Sequence, residues 1–425
     1  SQTFAGPVHA PGSDDYDRER AAIKGFRPDP MLVAEATGAD DIRAALAWAN
    51  RHDVPVAVQS TGHGTVIGSD GGLLVKTHRL ATLLVDPDRR VATAGAGVRW
   101  GSVLDAGTPF GLAPLCGTSA EVGVAGYTLG GGFGWLARRF GLAADSLLRA
   151  ELVTADGKQL TVTPEAHPDL FWAIRGGGGN FGVVTSLEFR LYPVSTVVAG
   201  SMTYPFQRAA DVLAAYRDWT QPDELSVTVV LTRSPDGPRL AVHAVYTGDP
   251  DAAAGALAPL RAAAGEPESE SFARLSFPEI DLPSLYPANF EIFREVSDSL
   301  VATLTDLVTD RVAVPADEVE LHRWAGAMAE VGPGTGPAGH RDVPFAVTVD
   351  GAPESADPIR PYATGGTFLN FCKDPARTPT AFTAANYERL RQVKRTYDPD
   401  NVFHRNFNIP PAETPGSDAA TGLSR

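Results

Sequence analysis

The stretch PDLFWAIRGGGGNFGVVTSLEFRLYPV, residues 168–194, decides how the chain is to be read. It contains the spacing GxGxxG at Gly177, Gly179 and Gly182. That pattern opens a dinucleotide-binding βαβ unit only when a strand precedes the glycines and a helix follows them. Here the order is reversed: PDLFWAIR reads as a short helix, and VVTSLEF is β-rich and ends before Pro193. The context argues against a Rossmann site. No GxxxxGK[ST] occurs either, which excludes a P-loop.

Upstream, LLRAELVTADGKQLTVT reads as a hairpin turning at Asp156-Gly157. Nearer the start, MLVAEA (31–36) reads as a strand, and residues 40–52 form a helix with Ile42, Ala45, Leu46 and Ala49 on one face. VPVAVQS follows as a second strand and runs into a glycine loop. Downstream of 197 the pattern changes to helix 208–219, strand 225–233, strand 239–247, helix 251–264 and a strand within 343–350. This suits an antiparallel sheet covered by helices on one face. NYERLRQVKRTYDPDNVF supplies a late helix with Leu390, Val393 and Tyr397 inward, stopped at Asp398-Pro399, and the last dozen residues read as disordered.

A chain of 425 residues exceeds one ordinary core, so two domains are expected. The formal net charge of -15 argues against a nucleic-acid partner, which needs a basic surface. Only Cys116 and Cys372 occur, so there is no disulfide framework and no multi-thiolate metal site, and no metal is expected. No apolar run is long enough to span a membrane. SQTFAGPVHAPGSDD lacks the basic start and apolar core of a secretory signal, which points to the cytoplasm. Because the sequence shows no initiator methionine, a removed leader and secretion stay open, as does the oligomeric state.

Three glycine clusters, at 62–72, 123–134 and 176–182, each adjoin strand-like segments. They serve either as tight turns or as a joint lining for an elongated anionic cofactor held by backbone N–H groups. Their neighbourhood carries a resemblance. VPVAVQSTGHG, VGVAGYTLGGGFGWLARRFGLAADSL, DLFWAIRGGGGNFGVVTSLEFRLYPV and NYERLRQVKRTYDPDNVFHRNFNIPP together resemble the FAD-linked oxidases of the vanillyl-alcohol-oxidase and berberine-bridge-enzyme type. The fold this implies is α+β: a two-lobed FAD-binding domain (1–197 plus the returning segment 376–425) with an inserted substrate domain (198–375) of antiparallel sheet covered by helices.

The resemblance also implies site residues. His63 in TGHG takes the place of the histidine joined covalently to the 8α-methyl carbon of the flavin. An imidazole nitrogen is a competent nucleophile there, and the flanking glycines allow close approach. Relatives with a second link use a cysteine where this chain has Ser119, and Cys116 lies three residues further upstream, so a single attachment is expected. Ser60, Thr61, Gly62, Gly64 and Thr65 would hold the pyrophosphate, with Gln59 standing where an arginine is common. Gly117, Thr118, Val122, Gly123 and Gly126 would run along the flavin, and Gly132, Gly182, Val183, Val184, Asn370, Asn406 and Asn408 would complete the cofactor contacts. Val122 falls where the side chain governs access of dioxygen, and Tyr127 falls where a donor faces N1 and C2=O.

One departure bears on mechanism. The family's tyrosine-containing YxN(Y/F) appears here as FLNF, and neither Phe368 nor Phe371 accepts a proton. The base is thus unassigned, with Tyr286, Glu291, His322, Tyr362 and Asp374 as candidates over the flavin. The resemblance implies an oxidase that takes two electrons from a small specialised metabolite, an alcohol, amine or activated C–H, and passes them to dioxygen to give hydrogen peroxide. The alternatives on the same scaffold are a flavin monooxygenase and a redox-neutral cyclase.

Overall fold

The computed structural model describes residues 4–22, 26–283 and 287–413. The first sheet is built on three parallel strands, Leu32–Glu35, Leu73–Lys76 and Val56–Gln59, with Val8–His9 antiparallel at the edge. Helix Ala39–Arg51 links two of them and buries Ile42, Ala45, Leu46 and Ala49, the face the apolar spacing predicts. The second sheet is antiparallel, in the order Leu83–Asp86, Val91–Gly95, Val183–Arg190, Leu147–Val153, Gln159–Val162. Gly157 sits at φ +79° in the turn between the last two in sequence, as the Asp-Gly pair predicts. Helix Pro168–Ile174 precedes the four glycines and strand Val183–Arg190 follows them, so the GxGxxG spacing lies in a helix-to-strand connection.

The third sheet has eight strands, running Ser269–Glu270, Thr196–Tyr204, Arg239–Tyr246, Leu225–Thr232, Ala316–Arg323, Phe345–Gly351, Asn289–Phe293. Ala273–Ser276 also pairs with Thr196–Tyr204, and every pairing in the sheet is antiparallel. Helices Ala209–Asp218, Ala253–Ala264 and Asp298–Leu307 cover one face. There Leu213, Tyr216, Leu260 and Leu304 pack with Val227, Val229, Leu321 and Val347. Each large apolar side chain fully buried in this way contributes about 1.5–3 kcal/mol. Strand residues alternate between faces. Thr228, His243, Glu320, His322 and Thr348, offset by one from those core positions, therefore point away from the helices. Strands Asn289–Phe293 and Ala316–Arg323 have no counterpart in the sequence reading. The architecture is α+β.

The chain then returns to the first lobe. Helix Ala384–Tyr397 is capped by Thr383, whose hydroxyl accepts from Asn386 N, and it buries Leu390 and Val393. Arg389 lays its guanidinium 3.8 Å over the Trp172 ring, joining this helix to Pro168–Ile174. Tyr397 is half-buried and donates to Asp169 at 3.1 Å. Lys394 and Asp398 form an ion pair at 2.6 Å with neither side chain exposed at all. Lys394 Nζ also donates to the carbonyls of Asn180 and Phe403, and Asp398 accepts from Val402 N and Phe403 N. Asn180 continues the knot by donating to Phe407 O and accepting from Ile409 N. The tail read as disordered lies outside the described residues.

Candidate active site

The cofactor side of the site starts where strand Val56–Gln59 ends. Gly62 is left-handed at φ +78° and turns the chain, and Thr65 N closes the turn on Gly62 O at 3.4 Å. His63 therefore stands at the crest, half-buried, on the wall of a cavity of about 870 Å³. This is near the top of the range of roughly 300–1,000 Å³ for ligand pockets. The wall also contains Gln59, Ser60, Thr61, Gly62, Gly64, Thr65, Gly117, Thr118, Val122, Gly123, Gly126, Tyr127, Gly182, Val183, Val184, Asn370 and Asn406.

Two expected contacts do not reach the cavity. Gly132 is left-handed at φ +75° beside the Tyr127 ring and gives its N–H to Asn370 Oδ1 at 2.9 Å. Asn408 lies off the wall, with a buried Oδ1 that has no partner among the described residues. Several side chains on the wall are already engaged with protein. Gln59 donates to Ala21 O at 3.2 Å, and Ser60 donates to Ala96 O at 2.7 Å. Asn370 completes a bracket by donating to Tyr127 O at 3.1 Å. Asn370 thus fixes the Tyr127 turn.

The Tyr127 hydroxyl is buried and has no protein partner among the described residues. Its ring lies edge-on to Trp100 at 5.5 Å. Burial, and then the neighbouring Cys116, push the phenol well above its ordinary 10, so it stays a neutral donor. Cys116 is in the core, off the cavity wall, and burial pushes its thiol up to about 12. We expect iodoacetamide at mildly alkaline pH to leave Cys116 unmodified in the native protein and to label it after unfolding, as read by peptide mass spectrometry. Native labelling would mean that solvent reaches it.

The facing wall comes from the third sheet. Thr228, His243, Glu320, His322 and Thr348 line the cavity together with Phe133, Trp135 and Phe371. His322 Nε2 meets Glu320 Oε2 at 3.0 Å, Thr228 Oγ1 meets His322 Nδ1 at 3.2 Å, and Thr348 donates to the same Glu320 Oε2 at 3.1 Å. Burial works against the Glu320 charge, but the hydrogen bonds from His322 and Thr348 and the charges of His322 and His243 outweigh it and hold the carboxyl below its ordinary 4.5. An ionised carboxylate only accepts, so the His322 Nε2 that faces it carries a proton and donates. Both bonds fall on Oε2, which leaves Oε1 available to a ligand. His243 is bonded to Ser201 Oγ at 2.6 Å, and burial lowers its pKa against the pull of Glu320.

Of the candidate bases among the described residues, only His322 is placed on the cavity wall. Glu291 is almost fully buried in a two-pronged pair with Arg377, 2.9 Å at each oxygen, with Arg360 beside it. Asp374 caps the following 3₁₀ turn by accepting from Ala376 N, Tyr362 is exposed, and Tyr286 lies outside the described residues. Phe371 lines the cavity, whereas Phe368 is buried against Trp324. Glu320 and His243 were not anticipated. The alternation in ADEVELHR, which puts Glu320 and His322 on one strand face, is the signal that would have found Glu320.

The cavity suits an extended dinucleotide. A Cβ on Gly126 would meet nothing within 4 Å, so the backbone lies open to a ligand, while one on Gly123 would press on Ser60 and Thr61 at 3.2 Å. The buried Tyr127 hydroxyl awaits an acceptor. With the Glu320–His322 pair on the wall opposite, these features fit an FAD-dependent oxidoreductase. The FAD binding domain family matches residues 30–163, and the berberine and berberine like family matches residues 367–410. The chain is an FAD-dependent oxidoreductase similar to the berberine-bridge-enzyme-like FAD-linked oxidases.

Similar proteins include (R)-6-hydroxynicotine oxidase of Paenarthrobacter nicotinovorans, 29% identical over 90% of this chain and 91% of that one. Xylooligosaccharide oxidase of Thermothelomyces thermophilus is 27% identical over 96% and 93%. Among solved structures, 6-hydroxy-D-nicotine oxidase from Arthrobacter nicotinovorans superposes with a TM-score of 0.84 at 27% identity, over 97% of this chain and 99% of that one. Glucooligosaccharide oxidase from Acremonium strictum, whose FAD is 6-S-cysteinyl and 8α-N1-histidyl, superposes at 0.83 with 24% identity over 96% and 98%. Among the described residues no helix is long and apolar enough to cross a membrane.

Proposed function

We propose that the protein is an oxidase that removes two electrons from a small specialised metabolite bearing an alcohol, amine or activated C–H and delivers them to dioxygen as hydrogen peroxide. FAD is held by a single covalent bond through His63, in a lobe made of residues 1–197 and 376–425, and the substrate is held by residues 198–375. The observation that carries this reading is one cavity walled by the His63 turn and Tyr127 on one side and by the Glu320–His322 pair on the other. Relatives named for oxidising 6-hydroxynicotine and xylooligosaccharide support the reaction class.

When bound, the flavin supplies a two-electron acceptor. The chain does the rest. Glu320 Oε1 accepts the proton of the substrate O–H or N–H, taking the place of the tyrosine that FLNF lacks. His322 and Thr348 hold that carboxylate in position, and Thr228 fixes the His322 ring. Phe133, Trp135 and Phe371 exclude water and orient the reacting carbon. Tyr127 donates to an electron-rich oxygen of the cofactor, and Val122 borders the approach for dioxygen.

The test is to reduce the holoprotein anaerobically and mix it with oxygenated buffer. Rapid reoxidation with one peroxide per flavin supports the oxidase. During turnover, oxygen-18 in the product would replace this reading with a monooxygenase, and no oxygen uptake would replace it with a redox-neutral cyclase. Tyr127→Phe removes one donor to a developing negative charge, worth about 1.5–3 kcal/mol. We expect the two-electron potential to fall by roughly 30–60 mV, since 30 mV corresponds to about 1.4 kcal/mol. Dye equilibration reads this directly, and an unchanged potential would remove Tyr127 from its role.

A further inference from the structure

We propose that Asn406 is the positioning residue that sets the His63 turn for covalent attachment of the flavin; the inference rests on the linkage proposed above. Asn406 Oδ1 accepts from Val66 N at 2.8 Å and from Ile67 N at 3.3 Å, and its Nδ2 donates to Gly64 O at 3.0 Å. One amide thus grips the segment that leaves His63, from Gly64 to Ile67. The preceding residue extends the grip: Arg405 donates to Gly68 O and Asp70 O, each at 3.3 Å. Asn406 itself is left-handed at φ +72°, a conformation asparagine tolerates better than most residues. The position therefore requires both the amide and the backbone shape.

The turn needs this help. It is built from glycines and small residues, and its own closing bond, Thr65 N to Gly62 O, is long at 3.4 Å. Among the described residues, the side-chain bonds to the backbone of residues 64–67 come from Asn406, 342 positions beyond Gly64 in the chain. Bond formation depends on holding the imidazole at the reacting carbon, and a small displacement costs rate steeply.

The step itself is balanced with dioxygen as oxidant. One proton leaves the imidazole nitrogen and one leaves the flavin 8-methyl group as the N–C bond forms, and the electron pair stays on the ring system. The product is a histidyl flavin reduced by two electrons and carrying both hydrogens. Dioxygen then takes the pair and two protons as hydrogen peroxide, restoring the oxidised coenzyme. Asn406 takes no part in these transfers; it acts through the placement of His63.

This arrangement also fixes the order of events. Attachment follows docking of the C-terminal segment, because the amide that steadies the turn arrives with that segment. The tail is thus required for the bond even though it supplies neither reacting atom.

The test compares wild type, Asn406→Ala and Asn406→Asp as full-length holoproteins. Two quantities are read: total bound FAD from the native absorbance, and attached FAD from fluorescence that stays with the polypeptide after acid precipitation. The time course of attachment is followed after adding FAD to protein purified without it. We expect Asn406→Ala to bind FAD but to attach it on the order of 10²-fold more slowly. Asn406→Asp keeps the acceptor for Val66 and Ile67 and loses the donor to Gly64, so it should be intermediate. A purely structural role would lower total and attached FAD together with the attachment rate unchanged, and that outcome overturns the proposal. If Asn406→Ala yields no holoprotein, the near-isosteric Asn406→Asp decides: a wild-type rate overturns the proposal, a slowed one upholds it. A wild type that releases all its FAD on denaturation removes the His63 linkage and this inference with it. Attachment at the wild-type rate in both variants removes the inference alone.

Discussion

Glu320→Gln is expected to leave FAD bound and to slow anaerobic flavin reduction by about 10²–10⁴-fold, the usual contribution of a positioned general base. The amide keeps the volume of the side chain and an oxygen for Thr348. It removes the proton acceptor at the cavity. The same pair sets a pH dependence. Burial would raise the Glu320 pKa, and the His322 bond and charge more than reverse this. The rate carried by the carboxylate is therefore fully present above the ordinary 4.5 and is lost only as pH falls through a value below it. Replacing His322 with Gln removes the largest lowering influence, so the acid limb should move to higher pH. Stopped-flow reduction against pH, with any substrate that bleaches the bound flavin, measures both effects. A Glu320→Gln enzyme with wild-type rates would place the base elsewhere.

Lys394→Met is expected to cost about 3–5 kcal/mol of folding stability, the penalty for breaking a buried ion pair by removing one partner. The Asp398 carboxylate would remain wholly buried with only the Val402 and Phe403 N–H groups to receive its charge, and the Asn180 and Phe403 carbonyls would lose their donor. Burial already lowers the Lys394 pKa against the pull of Asp398, so the ammonium is retained by its partners and not by solvent. The loss should extend to the coenzyme, because Asn180, Phe403 and Phe407 line the cavity. Urea unfolding gives the stability, and a double change, Lys394→Met with Asp398→Asn, should recover part of it. A loss below about 1 kcal/mol, the scale of an exposed pair, would show that the buried pair is not what holds the segment.

The fold was legible where local pattern decides it. The apolar spacing in Ala39–Arg51, the Asp156-Gly157 turn and the helix-to-strand order around Gly177 are each set by residues close in sequence. The His63 half of the site was legible for the same reason, since a strand, a glycine turn and an imidazole lie within one short stretch. The facing half was not. Thr228, His243, Glu320 and Thr348 meet because Thr228 pairs with His243 and His322, and Glu320 with Thr348, and those registers are fixed by a sheet assembled from distant segments. Lys394 was missed because a lysine in a helix ordinarily faces water, and its burial depends on Asp398 one turn on and on Asn180 far upstream. Asn370 and Asn406, expected as coenzyme contacts, both line the cavity, and their bonds to Gly132, Tyr127, Gly64, Val66 and Ile67 brace loops, which no local pattern announces.

The alternation along the third sheet separates two tasks on the same strands. Val227, Val229, Val319, Leu321 and Val347 hold the helix layer, while Thr228, Glu320, His322 and Thr348 stand between them and face the cavity. Every second position can therefore be rewritten without disturbing the packing beneath it. A library that keeps the Glu320–His322 pair and is randomised at the remaining cavity-facing sites should retain folded, coenzyme-loaded members at high frequency while its preference among metabolites diverges, making the rest of this wall an interchangeable reading surface on a constant engine.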